Sequence, residues 1–135
     1  MINNSLTLLL DAAENGDTLS VNQLIRDGVD VNCVNDKGWS PLVMAAFNQH
    51  LDNIKLLIDS GANVNHQSVN GTTVFMYAKT KVLNTGDYSI LDYLLNKGAK
   101  INLRDFTKKW TVLQYVRNNN QAGMEQYLID KGASI

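Results

Sequence analysis

Cysteine is nearly missing from this chain. Cys33 stands alone, so no intramolecular disulfide can form and packing has to hold the fold together. Proline occurs once, at Pro41, and histidine twice, at His50 and His66. Two histidines and one thiol make a poor tetrahedral metal site, and Cys33 and His66 occupy equivalent linker positions in different parts of the chain, so structural roles are expected for all three. Long hydrophobic runs are absent too. The apolar stretches are a few residues each, against the ~20 that a membrane helix needs, and residues 1–12 lack the basic start and apolar block of a secretory signal. A cytoplasmic location is the expectation. There is no phosphate-binding glycine loop, no dinucleotide fingerprint, no serine elbow and no acidic calcium loop. The expectation is therefore a non-catalytic protein with no cofactor and no metal. Asn70-Gly71-Thr72 matches a glycosylation sequon, but without a secretory signal it reads as a turn.

What is present begins with size and charge. The 135 residues, 44% of them hydrophobic, are enough for one domain with its own core. The net charge of −1 hides an asymmetry: residues 1–66 carry three basic against eight acidic side chains, net −5, and residues 67–135 carry nine against five, net +4. In an elongated fold such charges stand apart and steer an oppositely polarised partner.

A glycine recurs at Gly28, Gly61, Gly98 and Gly132, at spacings of 33, 37 and 34. Before each lies a helical stripe, Val21/Leu24/Ile25, Ile54/Leu57/Ile58, Leu91/Leu94/Leu95 and Leu128/Ile129, at the i, i+3, i+4 spacing of one buried face. Glu125 breaks the last one. The stretch 38–65 shows a whole unit. Ser40 and Pro41 mark a helix start, Ala45-Ala46 follow, Ile54 to Ile58 mark a second helix, and Gly61 its stop in the left-handed region that a Cβ makes costly. A period near 33 with two short helices per unit is the signature of a stacked array, in which no unit buries its apolar face alone.

These residues resemble the ankyrin repeat family. Gly38, Ser40, Pro41, Leu42, Ala45, Ala46, His50, Leu57, Gly61, Ala62, Val64 and Asn65 fall directly on its pattern, and nearly the whole chain follows it. The family's usual histidine after the Pro-Leu pair is replaced by Val43, Met76 and Gln114. The resemblance implies an all-α solenoid of four helix-turn-helix units joined by short β-hairpin-like loops. Residues 5–34 form an N-terminal capping repeat with a polar edge of Asn3, Asn4, Ser5 and Thr7, 35–67 the second repeat, 68–104 the third, and 105–135 a C-terminal capping repeat. Unit three carries four extra residues between Lys79 and Asp87. One more helical turn accommodates them without rotating the buried face, and so does an extended loop through Asn84-Thr85-Gly86. Asp17, His50 and Asp87 share the position at the start of the second helices, where the two aspartates are expected to cap free N–H groups.

The resemblance also implies a function, which is to bind another protein through a concave surface of hairpins and first helices, as a monomer, in a regulatory, inhibitory or immunity role. The residues that map there are Asp36, Lys37, Trp39, Phe47, Asn48, Asn70, Thr72, Thr107, Lys108, Trp110, Asn118 and Asn119. Trp39 and Trp110 are the sharpest candidates, because exposed tryptophan is unusual and enriched at interface hot spots; bracing of neighbouring hairpins is the competing role. The alternative class is nucleic-acid binding through Lys97, Lys100, Arg104, Lys108, Lys109 and Arg117, with Phe106 and Trp110 interleaved. An overall negative charge and an acidic first half count against it.

Overall fold

The computed structural model describes residues 4–135, the side chains at positions 83 and 84 excepted. The helices among the described residues fall into four successive pairs: α1 (Asn4–Asn15) with α2 (Thr18–Arg26), α3 (Pro41–Phe47) with α4 (Leu51–Asp59), α5 (Val74–Thr85) with α6 (Ser89–Asn96), and α7 (Val112–Asn118) with α8 (Ala122–Asp130). This is an all-α repeat stack, as expected.

Local chemistry explains the helix boundaries. Ser40 Oγ, Thr73 Oγ1 and Thr111 Oγ1 accept the N–H groups of Val43, Met76 and Gln114 at 3.2, 3.1 and 3.4 Å, so a hydroxyl starts each first helix from the second pair on. Pro41 takes the N1 position. Where the family's histidine is missing in the last unit, Gln114 substitutes: its Oε1 accepts the Thr111 N–H at 2.9 Å and completes a capping box. The second helices stop on Gly28, Gly61, Gly98 and Gly132, all left-handed at φ 90 to 101°. At the second of these stops Gly61 N–H donates to Ile58 O at 3.0 Å and Ala62 N–H to Leu57 O at 2.9 Å.

The expected stripes close one core that runs the length of the stack. Val21, Ile54, Leu57, Leu91, Leu94 and Leu128 are fully buried, with Leu42, Leu113, Val74 and Val116 facing them from the first helices. Each large buried aliphatic contributes about 1.5–3 kcal/mol, which is why the missing histidines do not endanger the fold. Ala13, Ala45, Ala46 and Ala78 are buried as well, and their small side chains let α3 pack closely against both α1 and α5.

Hairpin tips precede the second, third and fourth pairs. Asn35, Ser68 and Asp105 each donate a backbone N–H across the tip, to Trp39 O, Thr72 O and Trp110 O at 3.1, 3.0 and 3.0 Å. The tips stack on one another through Val69 N–H to Lys37 O at 3.1 Å and Phe106 N–H to Asn70 O at 2.9 Å. That stacking demands glycine at Gly71: its φ is 81°, and a Cβ there would stand 2.4 Å from the Phe106 nitrogen. A second ladder joins the units at the glycine stops. Asn32, Asn65 and Asn102 each donate from Nδ2 to the glycine carbonyl of the next unit, Gly61, Gly98 and Gly132, at 3.1, 3.0 and 3.3 Å. Their Oδ1 atoms accept the N–H of Asn63, Lys100 and Ser134 at 2.8 Å in each case.

Some details decide an open alternative or differ from expectation. Of the two forms open to the insertion, the structure has the longer helix: α5 has 12 residues against 7 in α3 and in α7, and Gly86 ends it with φ 70°, so no loop runs through Asn84-Thr85-Gly86. Asp87 does not cap α6 at its N-cap, because the helix begins one residue later with Tyr88 there; the Asp87 carboxylate accepts instead from the Ser89 N–H at 3.0 Å. Asp17 does cap α2, taking the Ser20 N–H at 3.2 Å. Ile129 is 40% exposed, and the buried face of α8 is Met124 and Leu128. The equivalent Ile25, Ile58 and Leu95 are only partly buried against the core, so this column sits at its rim. Asn4, Ser5 and Thr7 are exposed, and Asn3 lies outside the described residues.

Candidate functional site

The stacking of tips and first helices brings aromatic side chains from three units onto one face. Trp39, at the end of the second tip, meets Phe47 of α3 at 5.9 Å between ring centroids and Tyr77 of α5 at 5.2 Å, and Phe47 meets Tyr77 at 6.3 Å, edge to face. Trp110, at the end of the fourth tip, meets Tyr115 of α7 edge to face at 5.1 Å. A groove of about 290 Å³ joins the two groups, lined by Phe47, Thr72, Met76, Tyr77, Lys79, Thr80 and Tyr115. All five rings are half-buried: packed enough to be held in place and open enough to be touched.

Lysines lie over these rings. The ammonium of Lys37 is 5.4 Å from the Trp39 centroid, Lys81 is 4.8 Å from Phe47, Lys79 is 6.0 Å from Tyr115, and Lys108 is 4.7 Å from Trp110 and 5.8 Å from Tyr115. Lys81 also donates to Asn48 Oδ1 at 3.2 Å. Burial pulls the Lys79 ammonium below its usual range, since desolvation disfavours the charged form.

Beneath this surface Asp105 organises the fourth tip. It is buried, and its carboxylate accepts the Tyr115 hydroxyl, the Trp110 N–H at 2.9 Å and the Thr107 hydroxyl at 3.3 Å. Burial pushes its pKa up, but these hydrogen bonds outweigh burial and hold it below the usual carboxylate range. Tyr115 moves the other way: burial first, then the hydrogen bond to Asp105, push its phenol up to about 12.

Of the residues expected on this surface, Lys37, Trp39, Phe47, Asn48, Thr72, Lys108 and Trp110 take part in the aromatic face or its groove. Thr107 supports it through Asp105. Asp36 and Lys37 line a second, shallow groove of about 600 Å³ between the second tip and α1, where Leu6, Leu10 and Trp39 also contribute. Asn70 is exposed at the third tip and gives its carbonyl to tip stacking. Asn118 and Asn119 sit exposed at the C-terminal end of α7, the end away from the tips, and do not join the aromatic group. Tyr77, Lys79, Lys81 and Tyr115 escaped the sequence reading. Tyr77 and Tyr115 hold the same position, four residues past the caps Thr73 and Thr111, and that shared register was the available signal.

Three of the basic residues named for nucleic-acid binding are engaged by their own neighbours. Arg104 donates to Lys109 O at 2.8 Å and to Gln114 Oε1 at 3.1 Å, Arg117 pairs with Glu125 at 2.7 Å, and Lys97 lies over Tyr93 of α6 at 5.7 Å. His50 contacts a backbone carbonyl of the preceding unit, Glu14 O at 2.9 Å, and His66 one at the tip of its own unit, Gly38 O at 2.6 Å.

With tips, caps, glycine stops and paired helices recurring in this order, comparison with known proteins is decisive: the family model for ankyrin repeats, in three copies, matches residues 9–105. The chain belongs to the ankyrin repeat family. Its fourth helix pair lies beyond that match and carries the same ankyrin features, the Thr111 cap and the Gly132 stop. Similar ankyrin sequences occur in the ankyrin repeat and SAM domain-containing protein 6 of Mus musculus, 39% identical over 88 residues and 61% of this chain, and in the 2-5A-dependent ribonuclease of Mus musculus, 37% identical over 71 residues and 52% of this chain. The mitochondrial disaggregase of Bos taurus is 26% identical over 130 residues, 93% of this chain. The chain spans about a tenth of the length of the first two and 18% of the third. Ankyrin repeats are generally protein–protein interaction modules, and the family is typically non-catalytic. No helix among the described residues is long and apolar enough to cross a membrane.

Proposed function

We propose that this chain is a non-catalytic module that binds a partner protein through the concave face built from the second, third and fourth tips and helices α3, α5 and α7. The observation that carries this reading is the run of Trp39, Phe47, Tyr77, Tyr115 and Trp110, half-exposed rings from three units on one surface. Aromatic side chains already immobilised by their neighbours lose little entropy on binding and supply large contact areas, the properties of interface anchors. A sequestering or regulatory role fits a small module of this kind. Nucleic-acid binding fits less well, because Arg104 and Arg117 are committed to neighbours and the first half is acidic.

The test uses a partner recovered by pull-down from native extract. Trp39→Ala and Tyr77→Ala are each expected to cost on the order of 2 kcal/mol, about thirtyfold, in affinity for that partner. Each titration is paired with a thermal melt. Lower melting temperatures with unchanged affinity of the folded fraction would assign these rings to bracing the tips and refute the interface.

A further inference from the structure

We propose that the groove running from Phe47 across α5 to Tyr115 takes carboxylate side chains from an acidic, extended segment of the partner protein, with Lys79 at its wall as the counter-charge. This rests on the reading of the tip-and-first-helix face as the interface, and it names the chemistry of what that face receives.

Lys79 lines the groove, and two further ammonium groups lie over its rings: Lys108, like Lys79, over Tyr115, and Lys81 over Phe47. None pairs with a carboxylate. The ion pairs among the described residues are Arg117 with Glu125 and Lys131 with Asp92, both elsewhere. The carboxylate beside Tyr115, Asp105, is buried and already accepts from Tyr115, Trp110 and Thr107. Lys79 is therefore a half-buried charge whose desolvation is offset only by a ring face, a weak contact. An entering carboxylate supplies what is missing, a charge-assisted hydrogen bond in a partly dry site.

The shape favours a protein segment. A groove of about 290 Å³ with walls from Phe47, Tyr77 and Tyr115 admits a side chain or two. An extended chain crossing it presents alternate side chains to one face roughly every 6.6 Å, so acidic residues reach the lysines while apolar ones lie on the rings. A polyphosphate backbone continuing past the groove meets the first half of the chain, which is net −5.

The full chain is titrated by fluorescence anisotropy with a labelled peptide of about 12 residues in which Glu alternates with Leu and Ser. The same peptide with Gln for Glu and a single-stranded oligonucleotide of equal charge serve as comparisons. The acidic peptide is expected to bind at least about tenfold more tightly than either, and to weaken as salt rises. Lys79→Met should lose about tenfold and Lys79→Arg should stay within about threefold of the parent, with Lys81→Met as a second variant and a melt on each. The proposal is overturned if the Gln peptide binds equally well, if the oligonucleotide binds more tightly, if Lys79→Met changes nothing, or if the acidic peptide does not bind. If Trp39→Ala weakens the recovered partner while Lys79→Met does not, the interface survives and the acidic occupant falls. If neither variant matters, both fall.

Discussion

Asp105 and Tyr115 are the two side chains on which the fourth tip turns, and their titration makes that checkable. The tip is one residue longer than the second and third, five residues separating Asp105 from Trp110 against four from Asn35 to Trp39. The extra length forces Lys109 into the left-handed region at φ 61°. A carboxylate that accepts a tip N–H and a phenol at once holds this longer turn together. Asp105 has a depressed folded pKa, so the stability it contributes is present above its unfolded value near 3.9 and is lost as pH falls below it. Tyr115 has a raised one, so its contribution is present below pH ~10 and is lost as pH rises through about 12. A difference titration at the phenolate band, parent minus Tyr115→Phe, should therefore show one tyrosine ionising near 12. In Asp105→Asn the same tyrosine should move part of the way back towards about 10, since burial remains while the charge and its hydrogen bond are gone. An unchanged midpoint in Asp105→Asn would show that the pair does not couple.

At the scale of the element, the asparagine ladder joins the units at the glycine stops, as the tips do a few residues further on. Asn65 spans one junction with two bonds, Nδ2 to Gly98 O at 3.0 Å and Oδ1 from the Lys100 N–H at 2.8 Å. Each bond is worth about 0.5–1.5 kcal/mol net, so Asn65→Ala should destabilise by about 1–2 kcal/mol and lower the melting temperature by a few degrees. Asn65→Asp keeps the acceptor and loses the donor, and should fall between; equal melts for all three chains would remove the ladder from the account. The glycine stops that this ladder grips were legible from the sequence, because a left-handed residue and a buried stripe leave marks at fixed spacing. The conformation of the insertion was not legible, since one helical turn and a short loop consume the same four residues and only Gly86 at φ 70° distinguishes them. The aromatic face was half legible for a related reason. Four added residues in α5 and one in the fourth tip put Tyr115 38 positions after Tyr77 instead of about 33, and the shared register disappears unless counted from the caps Thr73 and Thr111. Asp87 and Ile129 show the limit at the helix ends, where a start displaced by one residue or a side chain at the rim of the core changes a role that pattern alone assigns.

Across the whole molecule the stack is not equally tight. In the middle, α3 packs closely on α1, α4 and α5, whereas α7 packs closely on α8 and, among the described residues, no comparably close approach joins it to α5. The third and fourth pairs meet largely through side chains: Tyr88 stacks on Tyr127 at 4.3 Å, the Tyr127 hydroxyl donates to Asp92 at 2.6 Å, and Asn102 reaches Gly132. The groove that carries the proposed binding chemistry crosses this junction, from α5 to Tyr115 of α7. Fewer buried contacts mean a smaller free energy of local opening, so the last helix pair should unfold ahead of the rest. Native-state hydrogen exchange measures this directly. Amides of α7 and α8 should exchange at a lower opening free energy than those of α3 and α5, by about 1–2 kcal/mol, and Tyr127→Phe should widen the gap by removing the bond to Asp92. A ligand held between the two pairs should close the gap, because it binds only when both are in place. Uniform protection from α3 to α8, unaffected by Tyr127→Phe, would mean that the stack opens as one cooperative unit and that its fourth pair is as firmly seated as its second.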